Sequence, residues 1–263
     1  MLGASSQSTN TRASLAKEIY GLIAGVLQRY TGSSLEGVFA HLLKGPANTE
    51  LGHVLARDFD VLFRPHECLT KEFHATVKPL WPQKAYVKLV KPMLPLAWPK
   101  KSDSQASDVV LANYSIAILS AIRHLDYTIY QDDAADLVRL ILCVLRNLPV
   151  GVDVETALRV LETITKESTN VLEPFLKSII DSCTSIMTSS GPQPDDRRMA
   201  KVSARCRNLA ILLLGYLPGR YEDRHLLGSV PRMERLLSVA CGDRVREVRK
   251  TALAAKLVWA NVK

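Results

Sequence analysis

The sequence predicts an all-α protein, a HEAT/armadillo-type α-solenoid of stacked antiparallel helix pairs that form a right-handed superhelix. Apolar residues recur every three or four positions along most of the 263 residues, and no stretch keeps the two-residue alternation of a strand. A small residue recurs in the middle of every second predicted helix, at Ala117, Ala157, Ala210 and Ala252. These intervals approach the period of about 40–47 residues of HEAT and armadillo arrays once the polar loop at 189–196 is set aside.

The first part of the chain predicts irregular helical repeats over residues 13–101. Residues 1–12 are small and polar, which indicates a disordered tail. Helical apolar stripes then follow up to Phe63. Because proline removes a backbone donor and clashes with the preceding helical turn, the five prolines between 79 and 99 predict only short helices, at 69–78 and 84–91.

Residues 102–263 predict regular C-terminal HEAT repeats that are continuous with the preceding part. Acidic or polar residues stand where helices should start, as N-caps or first-turn residues, at Ser107, Asp132, Asp153, Asn170 and Asp243. The helices are predicted at 107–125, 133–148, 153–167, 171–188, 199–217, 230–241 and 243–260.

Composition and motifs exclude several classes of protein. The five cysteines are scattered without a C-x-x-C pair, which argues against a disulfide framework or zinc finger and favours a reducing compartment; we interpret Cys143, Cys183 and Cys206 as core residues. No run of 18 uncharged apolar residues predicts a membrane span. Phosphate-loop, nucleophile-elbow and zinc-protease motifs are missing from the sequence, so we expect neither enzymatic activity nor a cofactor.

Two short motifs permit a metal site, but each has a simpler interpretation. The run Asp132–Asp136 carries carboxylates at i and i+4, as in magnesium-dependent prenyl-transfer enzymes, yet a second acidic cluster is missing. It fits better as the acidic first turn of a helix. His66, Cys68 and His74 supply three of the four ligands that zinc needs, at a spacing that matches no standard module. We expect no metal at either place.

Basic residues form clusters in a chain of net charge +8. If the clusters occupy equivalent places in successive repeats, they form a basic stripe. Such a stripe would meet nucleic-acid phosphates or an acidic protein surface, and a merely solvated helix face is the third interpretation. The clusters are Lys78, Lys84, Lys88 and Lys91; Arg197, Arg198, Lys201, Arg205 and Arg207; and Arg244, Arg246, Arg249 and Lys250.

Two segments carry a resemblance to a known family. They are the proline-punctuated stretch His53–Pro95, which includes Pro79-Leu80-Trp81-Pro82-Gln83-Lys84, and the final segment Gly242–Trp259, which includes Val248-Arg249-Lys250. Together they resemble the C-terminal domain of the HEAT-repeat adaptors of the cytosolic iron–sulfur targeting complex, a family named for methyl methanesulfonate sensitivity. The resemblance covers roughly residues 35–263. Since members of the family are longer solenoids, the chain is expected to correspond to their C-terminal portion.

The resemblance implies a non-enzymatic scaffold in the cytoplasm and nucleus. Such an adaptor joins a β-propeller subunit and a small α/β subunit, and the assembly delivers iron–sulfur clusters to apoproteins of DNA repair, replication and transcription. It implies no cluster ligands in this chain. The alternative function is a helical-repeat module that binds nucleic acid through the basic stripe.

The docking residues we expect lie in the last repeats, where basic residues cluster. Arginine is favoured at interface hot spots. The candidates are Arg205, Arg207, Arg244, Arg246, Arg249 and Lys250. Trp259 either packs the end of the last repeat or joins the interface.

Overall fold

A computed structural model describes residues 18–23, 25, 49–63, 80–98, 108–168, 170–189 and 197–262. Within these ranges every regular element is a helix and none is a strand, which confirms the all-α prediction. The chain divides into two compact units, Met1–Asp132 and Asp133–Lys263. The predicted tail at 1–12 and the predicted helix at 69–78 lie outside the described residues.

Where the structure describes it, the first unit consists of short helices around one longer helix. Residues 18–23 are helical. The α-helices that follow are α1 (Thr49–Arg57), α2 (Trp81–Ala85), α3 (Asp108–Ile122) and α4 (Tyr127–Tyr130). The 3-10 segments are Asp58–Leu62 and Lys91–Ala97, with Gln131–Asp133 at the end, and Tyr86–Val90 is a π-helix.

Three prolines of this unit, Pro82, Pro92 and Pro95, lie inside a helical run and do not end it. The helix predicted at 84–91 is part of a helical run from Trp81 to Ala97 that passes from α to π to 3-10 geometry. Pro82 lies in the first turn of α2, where the missing N–H has no helical partner to lose. Pro95 lies inside the 3-10 segment. Prolines in this run are therefore accommodated within helical geometry and do not mark a loop.

Helix α3 forms the centre of the first unit. It packs on α1 and on the 3-10 segments Asp58–Leu62 and Lys91–Ala97. The Ser120 hydroxyl donates to the Ala56 carbonyl at 3.1 Å, and the buried Tyr20 hydroxyl donates to the Leu55 carbonyl at 2.7 Å. The predicted division at 101/102 assigned α3 to the C-terminal repeats; its contacts are with the elements before it, and the division itself stays a prediction. Because α3 is buried from Asn113 to Ile122, it needs neighbours on every side.

In its described residues the second unit contains six longer helices, which agree with the predicted ones. Their ends lie within three residues of the predicted ends, except that the 3-10 turn Glu173–Phe175 delays the start of the third. The helices are α5 (Ala134–Asn147), α6 (Val152–Glu167), α7 (Leu176–Thr188), α8 (Arg197–Tyr216), α9 (Val230–Ala240) and α10 (Arg246–Trp259). The 3-10 turns Asp223–His225 and Leu227–Ser229 precede α9.

These six helices stack in two layers, as a solenoid requires. Helices α6, α8 and α10 pack in succession in one layer, and α5, α7 and α9 do so in the other. Across the layers α5 packs on α6, α7 on α8 and α9 on α10, so these cross-layer pairs are shifted by one helix from the pairs that the sequence suggested. The handedness of the superhelix stays a prediction.

Cross-helix contacts show that α6 and α8 run parallel. Arg205 near the middle of α8 reaches Glu155 in the first turn of α6, and Tyr216 at the end of α8 lies 5.5 Å from the ammonium group of Lys166 at the end of α6. Helices α8 and α10 also run parallel, since Arg207 contacts the residues before α10 and Leu214 contacts the end of α10.

The residues that suggested the repeat lie in the cores of the units. All four alanines, Ala117, Ala157, Ala210 and Ala252, are fully buried. Trp259 is also fully buried, and its indole N–H donates to the Leu214 carbonyl at 2.8 Å. Of the two interpretations of Trp259, packing is therefore the correct one.

Candidate protein-binding surface

All six predicted docking residues belong to the second unit, on α8, on α10 or in the turn between α9 and α10. Five of them are exposed and Arg207 is half-buried. Their surroundings differ enough to separate those that hold the fold together from those that remain available to a partner.

Arg207 joins two helices. Its guanidinium donates to both carboxylate oxygens of Asp243, at 2.8 and 3.2 Å, and its third nitrogen donates to the Ser203 hydroxyl at 3.1 Å. Only 17% of the Arg207 side chain and 14% of that of Asp243 are exposed. A bidentate, charge-assisted pair of this kind fixes geometry as well as adding stability. Arg207 therefore ties α8 to the start of α10 and is not offered to a partner.

Asp243 is held ionised by these contacts. Burial alone would raise its pKa, but hydrogen bonds from Arg207 and from the Val245 backbone N–H, at 2.8 Å, outweigh burial and hold the pKa below its ordinary value. Asp243 was predicted as a helix-start residue, and it lies just before α10. Its carboxylate stabilises the entry into that helix.

Arg249 closes the same turn from the other side. One of its terminal nitrogens donates to the backbone carbonyls of Asp243 and Arg244, at 2.8 and 3.1 Å. The side chain nevertheless lies in the exposed class. Since a guanidinium has five N–H donors, Arg249 keeps others for a partner.

Arg205 shares a carboxylate with Arg159. Both arginines reach Glu155 with N···O distances of 2.9 Å, Arg159 on one oxygen and Arg205 on the other. Glu155 itself is buried. One carboxylate cannot neutralise two guanidiniums, so this cluster carries an excess positive charge, and half of the Arg205 side chain is exposed.

The remaining candidates are Arg244, in the turn before α10, and Arg246 and Lys250, on one face of α10. Arg244, Arg246 and Lys250 are exposed, and their side chains make no hydrogen bond or ion pair with the described residues. Helical spacing continues the face of Arg246 and Lys250 through Leu253 and Leu257, which are 55% and 63% exposed. We call Arg246, Lys250, Leu253 and Leu257 the outer face of α10; its first half is basic and its second half is apolar.

A groove along α8 was not predicted. Its floor follows successive turns of α8, its walls are α6 and α10, and its volume is about 670 Å³. We call it the α8 groove. The sequence contained one indication, since Ala200 and Ala204 are small residues at i and i+4 of α8, but the two walls depend on helices that are distant in the chain. The floor residues are Ala200, Ala204, Asn208 and Leu212.

The two short motifs for which no metal was expected differ in what the structure describes of them. Asp136 pairs with Arg139 at 2.9 Å on the surface of α5. His66, Cys68 and His74 lie outside the described residues. In the described part of the chain no three histidine, cysteine or acidic side chains come together as metal ligands.

The cysteines predicted as core residues are of two kinds. Cys183 and Cys206 are buried, and burial raises the pKa of each thiol to about 12, so neither is a thiolate at neutral pH. Cys143 is partly exposed and receives the Asn147 amide at 3.2 Å.

A comparison with known protein families shows the family of the chain. The C-terminal family of RNAPII transcription regulators, MMS19_C, matches residues 27–218. The chain belongs to the MMS19_C family. The match confirms the resemblance drawn from the sequence and spans most of the chain through the end of α8. Helices α9 and α10 lie beyond it, so Arg205 and Arg207 fall within the matched range and the other four docking candidates do not. No curated protein matches the chain significantly.

Among the helices of the described ranges, none combines the length and the apolar character needed to cross a bilayer.

Proposed function

We propose that the chain is a non-enzymatic scaffold of the cytosolic iron–sulfur targeting complex. It docks the β-propeller and small α/β subunits, so that clusters reach apoproteins of DNA repair, replication and transcription in the cytoplasm and nucleus. The match of the MMS19_C family over residues 27–218 carries this proposal. The layered helices of the second unit support it, because stacked repeats expose an extended surface for other macromolecules.

The surface we assign to subunit docking is the outer face of α10 together with Arg244. These basic side chains are exposed, and the neighbouring Leu253 and Leu257 offer apolar area beside them. An acidic partner surface with an apolar centre would complement this face. Arg207 is omitted, since its guanidinium is already bound to Asp243 and Ser203.

Size-exclusion chromatography of the chain with the two purified subunits tests the proposal. We expect one shared, earlier peak at moderate salt. Lys250→Glu reverses a charge in the middle of the outer face and should weaken association about tenfold, which corresponds to about 1.4 kcal/mol. Lys177→Glu reverses a charge at an exposed position of α7, in the other layer, and should leave association unchanged.

Separate elution of the three proteins would overturn the scaffold proposal. Equal weakening by the two substitutions would overturn only the choice of face, because it would indicate a general effect of net charge. Circular dichroism should show the same helix content for both variants, since neither residue is buried.

A nucleic-acid module is the second candidate, and the placement of basic residues favours testing it. Lys201 on α8 and Val245 beside Arg246 line the same groove, so the basic starts of two neighbouring repeats lie near one another. Labelled duplex and single-stranded DNA should bind at low salt, with affinity that falls steeply as salt is added, if this candidate is right. Absence of binding at low salt would remove it.

A further inference from the structure

We propose that the α8 groove binds an acidic and apolar polypeptide segment of a partner protein. Apolar side chains of the segment would lie on the floor, and its carboxylates would face Arg159, Lys201 and Arg205. This inference deepens the proposed function by describing a second docking site on the scaffold, separate from the outer face of α10.

The dimensions of the groove suit a segment of polypeptide. Its floor extends from Ala200 to Leu212, which is about 18 Å at the helical rise per residue. That length accommodates three turns of a helix or five to six residues of extended chain. A segment lying along the floor would contact apolar side chains of two helices, namely Ala200, Ala204, Leu209 and Leu212 of α8 with Val248 of α10, and Val245 just before α10.

The charges that line the groove favour a segment of negative net charge. Arg159 and Arg205 share the single carboxylate of Glu155, and Lys201 adds a further exposed cation on the same side. Three cations therefore face one anion. Glu162 on this wall does not offset them, because Lys166 pairs with it at 2.7 Å.

The α10 wall of the groove carries a negative charge, so the two walls differ in charge. Glu247 lies there, on the first turn of α10. Carboxylates of a bound segment would thus lie towards α6 and away from α10. Nucleic acid fits this arrangement less well, since its phosphates would meet Glu247 and its bases would meet a floor of alanine and leucine side chains.

One buried polar atom on the floor supports a polar ligand group at the centre. The Asn208 side-chain oxygen is buried and accepts no hydrogen bond from the described residues. A buried acceptor without a donor costs about 1–3 kcal/mol. An N–H group of a bound segment would supply the missing donor between the apolar contacts on either side.

Selection from a phage-displayed library of random 12-residue peptides, against the whole 263-residue chain, tests the inference. We expect enriched peptides to combine Asp or Glu with Leu, Ile, Phe or Met. A synthetic copy of an enriched peptide is then measured by fluorescence anisotropy. Ala200→Trp would fill the floor and should weaken binding at least tenfold, and Lys201→Glu should weaken it about fivefold.

Two controls match these variants. Ala254→Trp adds the same ring at an exposed position of α10 outside the groove. Lys177→Glu makes the same charge reversal on α7. Both should leave peptide affinity unchanged. All four positions are exposed, so the variants should fold, and circular dichroism checks that they do.

The inference is overturned if no peptide is enriched, if the enriched peptides are basic, or if Ala200→Trp leaves their affinity unchanged. The selection contains neither partner subunit. A failed peptide selection would therefore overturn the groove proposal without affecting the co-elution result. Separate elution of the subunits would overturn the scaffold proposal without affecting the groove proposal.

Discussion

Arg207 and Arg246 carry the same side chain and have opposite surroundings. The Arg207 guanidinium donates its hydrogen bonds to Asp243 and Ser203, whereas the Arg246 side chain is exposed to solvent. The sequence placed both in one docking group, because both stand in basic clusters near the start of a repeat. Asp243 lies 36 residues from Arg207, and no local pattern reveals that they meet. Charge clusters in a sequence thus locate a basic surface without showing which charges are already paired.

Asp243→Asn tests that pair through its pH dependence. The substitution should lower the free energy of unfolding at pH 7 by about 1.5–3 kcal/mol, since hydrogen bonds between charged groups become weaker. The pKa of Asp243 is lower in the folded chain than in the unfolded one. Its contribution is therefore fully present above the unfolded pKa and is lost as the pH falls through the folded pKa.

Urea unfolding at a series of pH values provides the measurement. The difference between wild type and Asp243→Asn should shrink towards zero in acid. Asp132→Asn, at an exposed position, is the control and should change stability by less than about 0.5 kcal/mol throughout. A difference that stays constant from neutral pH to acid would contradict the assigned role of Asp243.

At the scale of the helices, local periodicity was sufficient for the second unit and insufficient for the first. Helices α5 to α10 are long and amphipathic, so the spacing of their apolar residues predicted where they begin and end. In the first unit the run Trp81–Ala97 changes geometry twice, and the prolines concealed its continuity. The α8 groove could not be predicted either, because its floor and its two walls belong to three helices brought together only by packing.

The contact between α8 and α10 depends on a glycine. A Cβ atom placed on Gly215 would lie 3.3 Å from the Cβ of Ala255, closer than ordinary side-chain contact. Gly215→Leu should therefore force the two helices apart and cost about 1–3 kcal/mol of stability, the usual cost of overpacking. Chemical denaturation measures the loss.

Ala254→Leu provides the comparison, since Ala254 lies next to Ala255 on the exposed side of α10. Its effect should stay within about 0.5 kcal/mol. If Gly215→Leu were as stable as the wild type, α8 and α10 would not approach as closely as described.

At the scale of the whole chain, each compact unit has its own core. Phe59 in the first unit and Leu214 in the second are both fully buried. Truncating either to alanine should cost about 2–5 kcal/mol. Because each substitution removes contacts inside its own unit, Phe59→Ala should accelerate amide hydrogen exchange more in α3 than in α8, and Leu214→Ala should do the reverse.

Hydrogen exchange followed by mass spectrometry resolves the two helices, since they lie in different peptides. Equal acceleration in α3 and α8 by both variants would show that the chain opens as one cooperative body. The expected pattern would instead show that α3 shares its stability with the helices before it, as its contacts indicate.

The parallel course of α6, α8 and α10 has an electrostatic consequence. Backbone dipoles of parallel helices add, and each N-terminus carries about half a positive charge, so the three starts together would repel one another. Acidic residues accompany every start: Asp153 and Glu155 in α6, Asp243 and Glu247 around the start of α10, and, in the sequence, Asp195 and Asp196 directly before α8. Glu155 and Asp243 are already paired with arginines, and α8 begins with Arg197 and Arg198, so the acidic residues offset only part of this field. An acidic partner would feel the arginine and lysine side chains only within about 8 Å, the screening length at physiological salt. Recognition on this surface would accordingly be decided at contact and not by long-range attraction.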